Sequence, residues 1–204
     1  MKKAMTILYE VHDNLYVNLT NKCPCACTFC LRQTRDHMEH SNVLWLEHDP
    51  SLEELTDAFQ KADMAKYKEV VFCGFGEPTE ALEVLLGGAK YIKEHYPNPI
   101  RVNTNGLGNL IHGTDITPRL KGLVDTISIS LNTPNAQEYH RLVRSKFGDC
   151  SFDAMLDFAR KCTSFVPRVV MTTVATTISH EEEEACAKIC EDIGAEYRIR
   201  PWED

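Results

Sequence analysis

The chain has 204 residues, 43% of them hydrophobic, enough to build a sizeable core without staples. It carries 22 basic against 30 acidic side chains, a net charge of −8, which argues against the broad cationic footprint of a nucleic-acid binder. No window approaches the roughly eighteen apolar residues of a membrane span, and the opening MKKAMTILYEVHDN lacks the apolar stretch of a secretory signal. The expected setting is therefore a reducing cytoplasm, where disulfides are uncommon.

Strand and helix patterns alternate along the chain. Leu15–Thr20 (LYVNLT) reads as the first strand. Ser51 to Tyr67 reads as a helix, opened by a Ser51/Glu54 capping box and carrying Leu52, Leu55, Phe59 and Ala62 at helical spacing. Glu69–Cys73 (EVVFC) is a second strand, and Thr79 to His95 a helix stopped by Pro97. Ile100–Thr104 (IRVNT) is a third strand, closed by the turn Asn105-Gly106. A helical piece over Pro118–Leu123 precedes a fourth strand, Thr126–Leu131 (TISISL). A longer helical stretch breaks near Gly148 and resumes over Phe152–Cys162. Arg168–Thr173 is a fifth strand. Ser179 to Ile193 is a helix with a second capping box, Ser179 and Glu182, ended by Gly194. Tyr197–Arg200 is a sixth strand.

This alternation predicts an α/β fold with a parallel sheet and right-handed crossovers. Six units are too few for a closed eight-strand barrel, so the expectation is a partial, laterally open (β/α)6 TIM-like barrel. A flat doubly wound sheet is the alternative that periodicity cannot separate. No linker or low-complexity segment breaks the chain, which reads as a single domain over residues 1–204. In either architecture chemistry belongs at the carboxyl ends of the strands. Four unusual motifs fall there: a cysteine-rich stretch after the first strand, CGFGEP after the second, NTNG at the third and SLN at the fourth.

The cysteine stretch is TNKCPCACTFC, Thr20 to Cys30. Nine cysteines is an odd count, which weighs against a closed disulfide framework. Cys23, Cys27 and Cys30 are spaced C-x3-C-x2-C. Zinc would ask for a fourth protein ligand and paired C-x2-C knuckles. A ferredoxin-like cluster would also want a fourth cysteine. Three thiolates in one loop could hold three corners of a cubane cluster, leaving one iron open to a small molecule. Buried inert thiols and a zinc site are the competing readings. Cys186 and Cys190, four apart on one helix face, are better read as core than as ligands.

CPCACTFC resembles the C-x3-C-x-aromatic-C signature of the radical S-adenosylmethionine (radical SAM) superfamily. The resemblance implies a 4Fe–4S cluster on Cys23, Cys27 and Cys30, with SAM chelating the remaining iron. Cys25 is an extra thiol at a free motif position, read as a loop filler or, alternatively, a competing ligand. GFGEP, Gly74–Pro78, is similar to the family's Gly-Gly-Glu-Pro motif with Phe75 in place of the second glycine. It implies SAM contacts from Gly74, Gly76 and Glu77, the carboxylate suiting the ammonium of the methionine moiety. VNTNG resembles the family's third-strand ending, which implies ribose or carboxylate contacts from Asn103 or Asn105. SISLN resembles its fourth-strand pattern. Ser128, Ser130 and Asn132 share one strand face, and Ser130 and Asn132 are the favoured contacts. Arg141 and Arg144, and more weakly Thr172, Thr173 and Arg198, are lesser candidates. No catalytic side chain stands out.

More narrowly, the compact length and VFCGFGEPT resemble the small radical SAM proteins associated with TatD-type hydrolases. The family chemistry implies reductive cleavage of SAM to methionine and a 5′-deoxyadenosyl radical that abstracts hydrogen from a substrate. It also implies a reductant such as flavodoxin or ferredoxin. With little chain after the sixth strand, Pro201 to Asp204, a protein substrate or a lid from a partner is expected at the barrel mouth. Neither nucleic acid nor membrane is expected as a partner. A non-catalytic iron–sulfur carrier or sensor is the rival reading, and it leaves Glu77 without a role.

Overall fold

A computed structural model describes residues 2–202. Met1, Glu203 and Asp204 lie outside the described residues, so the reading at the chain end is followed only through Trp202. The fold is α/β. Seven strands, β1 (Leu8–Val11), β2 (Asn14–Val17), β3 (Val70–Phe72), β4 (Ile100–Thr104), β5 (Thr126–Ser130), β6 (Arg168–Val174) and β7 (Glu196–Arg200), lie in sequence order in one open sheet. The β2–β3, β3–β4, β5–β6 and β6–β7 pairs are parallel. The first pair is antiparallel. Six of the strands are those expected. The extra one, β1, forms a hairpin with β2 through His12-Asp13, with His12 in the left-handed region at φ 52°.

The backbone divides into two compact units. The first contains the described residues up to Cys23, then Cys30–Asn103 and Leu123–Asp125. Here α1 (Leu52–Lys61) opens on the expected capping box, with Ser51 accepting from the Glu54 N–H and Glu54 from the Ser51 N–H. The helix stops at Ala62 rather than running to Tyr67, and a single 3-10 turn, Met64–Lys66, follows. Ala62 takes an extended conformation, and the run after it buries only Met64, too little to sustain an apolar stripe. The helix α2 (Leu82–His95) packs closely on α1. A Cβ at Gly88 would fall 2.6 Å from Leu55 Cδ2, and one at Gly87 2.7 Å from Leu52 Cδ2. Beneath lie Leu15, Val17, Val70, Phe72, Ile100 and Val102, all buried, with Phe59, Leu85 and Ile92 from the helices.

The second unit contains Pro24–Phe29, Thr104–Gly122 and the described residues from Thr126 onward. Its helices are α3 (Gly108–His112), α4 (Ala136–Val143), α5 (Ser151–Cys162) and α6 (His180–Ile193). The helical piece expected at Pro118–Leu123 is a 3-10 turn over Thr117–Leu120. Alternation along β5 buries Ile127 and Ile129, while Thr126, Ser128 and Ser130 on the opposite face are only half-buried. Phe158, Met155 and Cys162 of α5, Tyr139 of α4, and Cys186 and Cys190 of α6 complete a buried core. Ser179 caps α6 through the expected box with Glu182, and Gly194 closes it at φ 84°. No helix among the described residues is long and apolar enough to cross a membrane.

Candidate metal and cofactor site

The cysteine loop leaves the end of β2. Cys23, Cys27 and Cys30 are half-buried, and none of the nine cysteines, all among the described residues, is in a disulfide. Among the described residues no three His, Cys, Asp or Glu side chains stand together as a ready-made metal site. What fits an iron–sulfur group is the donor chemistry: three partly accessible cysteines, none in a disulfide, spaced four and then three residues apart in one loop.

In the first unit the loop's entry is held by the GFGEP segment. The Glu77 N–H donates to the Lys22 carbonyl at 2.8 Å, one residue before Cys23. The glycines follow from this contact. A Cβ at Gly76 would lie 2.2 Å from the Thr20 oxygen and 2.6 Å from the Lys22 oxygen, and one at Gly74 would meet Asn18 Oδ1 at 2.2 Å. Phe75, between the two glycines, turns away from this contact. Its ring is buried with Tyr9, Val11 and Leu44, and meets Trp45 edge-on at 5.3 Å. Phe75 therefore fills a neighbouring core and adds nothing to the Gly74–Gly76 approach.

The Glu77 carboxylate is 4% exposed and accepts from Thr79 N at 3.2 Å and Thr79 Oγ1 at 2.8 Å. Asn103, also in this unit, accepts from Arg101 Nη1 at 3.2 Å, and Arg101 pairs with Glu69 at 2.8 Å.

In the second unit β5 ends at the other candidate contacts. Asn132 adopts φ 68°, an uncommon left-handed conformation for a non-glycine residue, and is 5% exposed. Its N–H donates to the Thr172 carbonyl at 3.1 Å and its amide nitrogen to the Ser130 carbonyl at 3.5 Å, but its Oδ1 is buried without a hydrogen-bond partner. An unpartnered buried acceptor on a residue with left-handed backbone makes Asn132 a candidate ligand position. Ser130 is half-buried beside it.

The lesser candidates are otherwise engaged. Arg141 is an exposed helix residue paired with Glu138 at 2.9 Å. Arg144 caps α4 in the left-handed conformation and is exposed. The Thr172 hydroxyl donates to the Ile129 carbonyl at 3.5 Å, the Thr173 hydroxyl shares a hydrogen bond with Tyr197, and Arg198 is exposed. Cys186 and Cys190 are fully buried. Burial, helped by the neighbouring Cys190, pushes the Cys186 thiol up to about 12, and burial pushes Cys190 up to about 12. Both are core thiols. The Phe75 environment and the Asn132 strain were not legible in the sequence, because both depend on neighbours far along the chain.

A sequence model described as the radical SAM superfamily matches residues 17–193. The chain belongs to the radical SAM superfamily. Members use a 4Fe–4S cluster and SAM and generally draw electrons from an external reductant. Among solved structures, a radical SAM methyltransferase from Sphaerobacter thermophilus aligns with a TM-score of 0.66 at 18% identity, covering 95% of this chain and 57% of its own. Streptococcus suis SuiB bound to the precursor peptide SuiA aligns at 0.68 and 15% identity, over 94% of this chain and 39% of its own. The protein anSMEcpe with bound SAM aligns at 0.63 and 17% identity, over 93% and 51%. These likenesses show a shared radical SAM fold. The chain spans between about two fifths and three fifths of these neighbours' lengths. No curated protein matches.

Proposed function

We propose that this chain is a radical SAM enzyme, binding a 4Fe–4S cluster through Cys23, Cys27 and Cys30 and SAM through the GFGEP segment and the end of β5. The observation that carries the reading is the main-chain hydrogen bond from the Glu77 N–H to the Lys22 carbonyl, which holds the residue bearing a buried carboxylate against the residue before the first cluster cysteine. When bound, the cluster and SAM supply reductive cleavage to methionine and a 5′-deoxyadenosyl radical able to take hydrogen from a substrate. The chain's own residues bind and orient. Glu77 receives the methionine ammonium, with Thr79 fixing its carboxylate. Gly74 and Gly76 let the backbone pass close by. Asn132 Oδ1 and Ser130 accept hydroxyl groups of the ribose, and Asn103 or Asn105 contacts the ribose or the carboxylate.

The substrate is read only as a hydrogen donor, a protein or a small molecule, with a flavodoxin or ferredoxin as reductant. Within the family we place the chain nearest the small TatD-associated proteins, on VFCGFGEPT. We treat it as one radical SAM core domain of a reducing, cytoplasmic compartment, on its odd count of nine cysteines.

The test is anaerobic. The protein is reconstituted with iron and sulfide, reduced with dithionite and given SAM, and 5′-deoxyadenosine is measured by chromatography. Product above a Cys27→Ala control supports the reading. An intact, reducible cluster whose EPR spectrum ignores SAM would support the rival, a non-catalytic iron–sulfur carrier or sensor.

A further inference from the structure

Four thiols lie in the cysteine loop, but the proposed site uses three. The fourth, Cys25, is treated differently by the fold. It is 4% exposed, whereas Cys23, Cys27 and Cys30 are half-buried. The stretch around it is tied by main-chain hydrogen bonds to the end of α4 and the residues just after it. Lys146 N–H donates to the Pro24 carbonyl at 2.8 Å, Ala26 N–H to the Val143 carbonyl at 3.1 Å, and Thr28 N–H to the Leu142 carbonyl at 2.9 Å. Cys25 itself sits opposite Ser145 in an antiparallel bridge. Its sulfur receives the side-chain amide of Asn105 at 3.6 Å, a contact between residues 80 apart in sequence. The other end of the Asn105 side chain accepts the Leu107 N–H at 2.9 Å, so the amide is fixed in direction.

We infer that Asn105 and the 142–146 segment form a latch that withholds the Cys25 thiol from the cluster, so that Cys23, Cys27 and Cys30 alone ligate it and one iron stays open to SAM. The inference rests on the cluster reading proposed above. It gives Asn105 a positioning role through Cys25 in place of direct contact with SAM. The chemical need is plain. A fourth thiolate two residues from two ligands is the most available competitor for the open iron. Ligation by it, with loss of its proton to solvent, would give a four-cysteine cluster closed to SAM. Backbone pairing on both sides of residue 25 and an amide on the sulfur oppose the rotation that this requires.

Lys22 and Arg32 place all four loop cysteines on one tryptic peptide, CPCACTFCLR. The metal-free full-length protein is treated anaerobically with N-ethylmaleimide, and each thiol's rate is read by fragment mass spectrometry. Cys25 is expected to react more slowly than Cys27. Asn105→Ser keeps an acceptor for the Leu107 N–H but cannot reach Cys25. It should raise the Cys25-to-Cys27 rate ratio by roughly fivefold, the factor that one hydrogen bond carries. An unchanged ratio overturns the latch. The reconstituted proteins give the second arm. The SAM-induced change in the EPR spectrum should weaken in Asn105→Ser and return in Asn105→Ser/Cys25→Ala. A double variant that stays unresponsive means that Asn105 contacts SAM directly or serves only the turn, and the latch falls. If the natural protein forms no SAM-responsive cluster, the functional reading fails while the metal-free rates still judge the latch.

Discussion

Gly76 is pressed against main chain on two sides, and main chain cannot step aside as a flexible side chain can. Gly76→Ala should therefore cost about 1–3 kcal/mol of overpacking. For a chain of this size that is a fall in Tm of about 3–10 °C, readable by calorimetry or circular dichroism. Glu77→Gln tests the opposite property of the same motif. The glutamine oxygen can still accept from Thr79, but the charge offered to a ligand ammonium is lost. A charge-assisted hydrogen bond is worth about 1.5–3 kcal/mol, so half-maximal change in the cluster's EPR spectrum should need roughly tenfold to hundredfold more SAM. A glutamine variant that titrates like the natural protein would remove Glu77 from the SAM site. Both residues were legible in the sequence, since Gly-x-Gly-Glu-Pro states a close backbone approach and an acceptor. Asn105 was legible only as a polar residue at a strand end. Its partner, Cys25, lies 80 residues away, and nothing local announces the pairing.

Among the elements, α6 shows best what local pattern can and cannot say. Its capping box and its terminal glycine follow from residue type and spacing alone, and all three residues, Ser179, Glu182 and Gly194, take those places. The hairpin strand β1 escaped because its turn, His12-Asp13, lacks the asparagine-glycine chemistry that marks such turns. His12 is held at positive φ with its N–H on the Glu39 carboxylate at 3.2 Å, 27 residues on. α3 escaped because it is five residues long and begins on a glycine. The burial of Cys186 and Cys190 on α6 carries a pH prediction. Unfolding lets each thiol ionise from its ordinary value near 9, whereas in the folded chain both are pushed up to about 12. Between those values the folded state holds more protons than the unfolded one, so stability is full below pH 9 and falls as pH rises toward 12. Tm measured from pH 8.5 to 10.5 should decline, at about the unperturbed thiol value and above, and Cys186→Ala/Cys190→Ala should flatten the slope whatever its offset at neutral pH.

At the scale of the whole molecule, the family match over residues 17–193 takes in β3 to β6 and helices α1 to α6, so cofactor binding should stabilise the fold widely. Groups that bind only the folded chain stabilise it by mass action. Thiolate ligation is unavailable to an unfolded loop in the right geometry, so part of the cluster's binding free energy becomes folding free energy. Tm should therefore rise in two steps, first on anaerobic reconstitution with iron and sulfide, then on adding SAM. At a hundredfold excess over its dissociation constant, SAM contributes about 2.7 kcal/mol, or about 5–10 °C in a chain of this length. The steps are ordered. SAM given to metal-free protein should produce little of the second rise if, as proposed, SAM binds through the cluster. Cys27→Ala should show neither step, and Glu77→Gln should keep the first and lose most of the second. Equal stabilisation of metal-free and reconstituted protein by SAM would separate the SAM site from the cysteine loop, and with it the proposal that the two act as one centre.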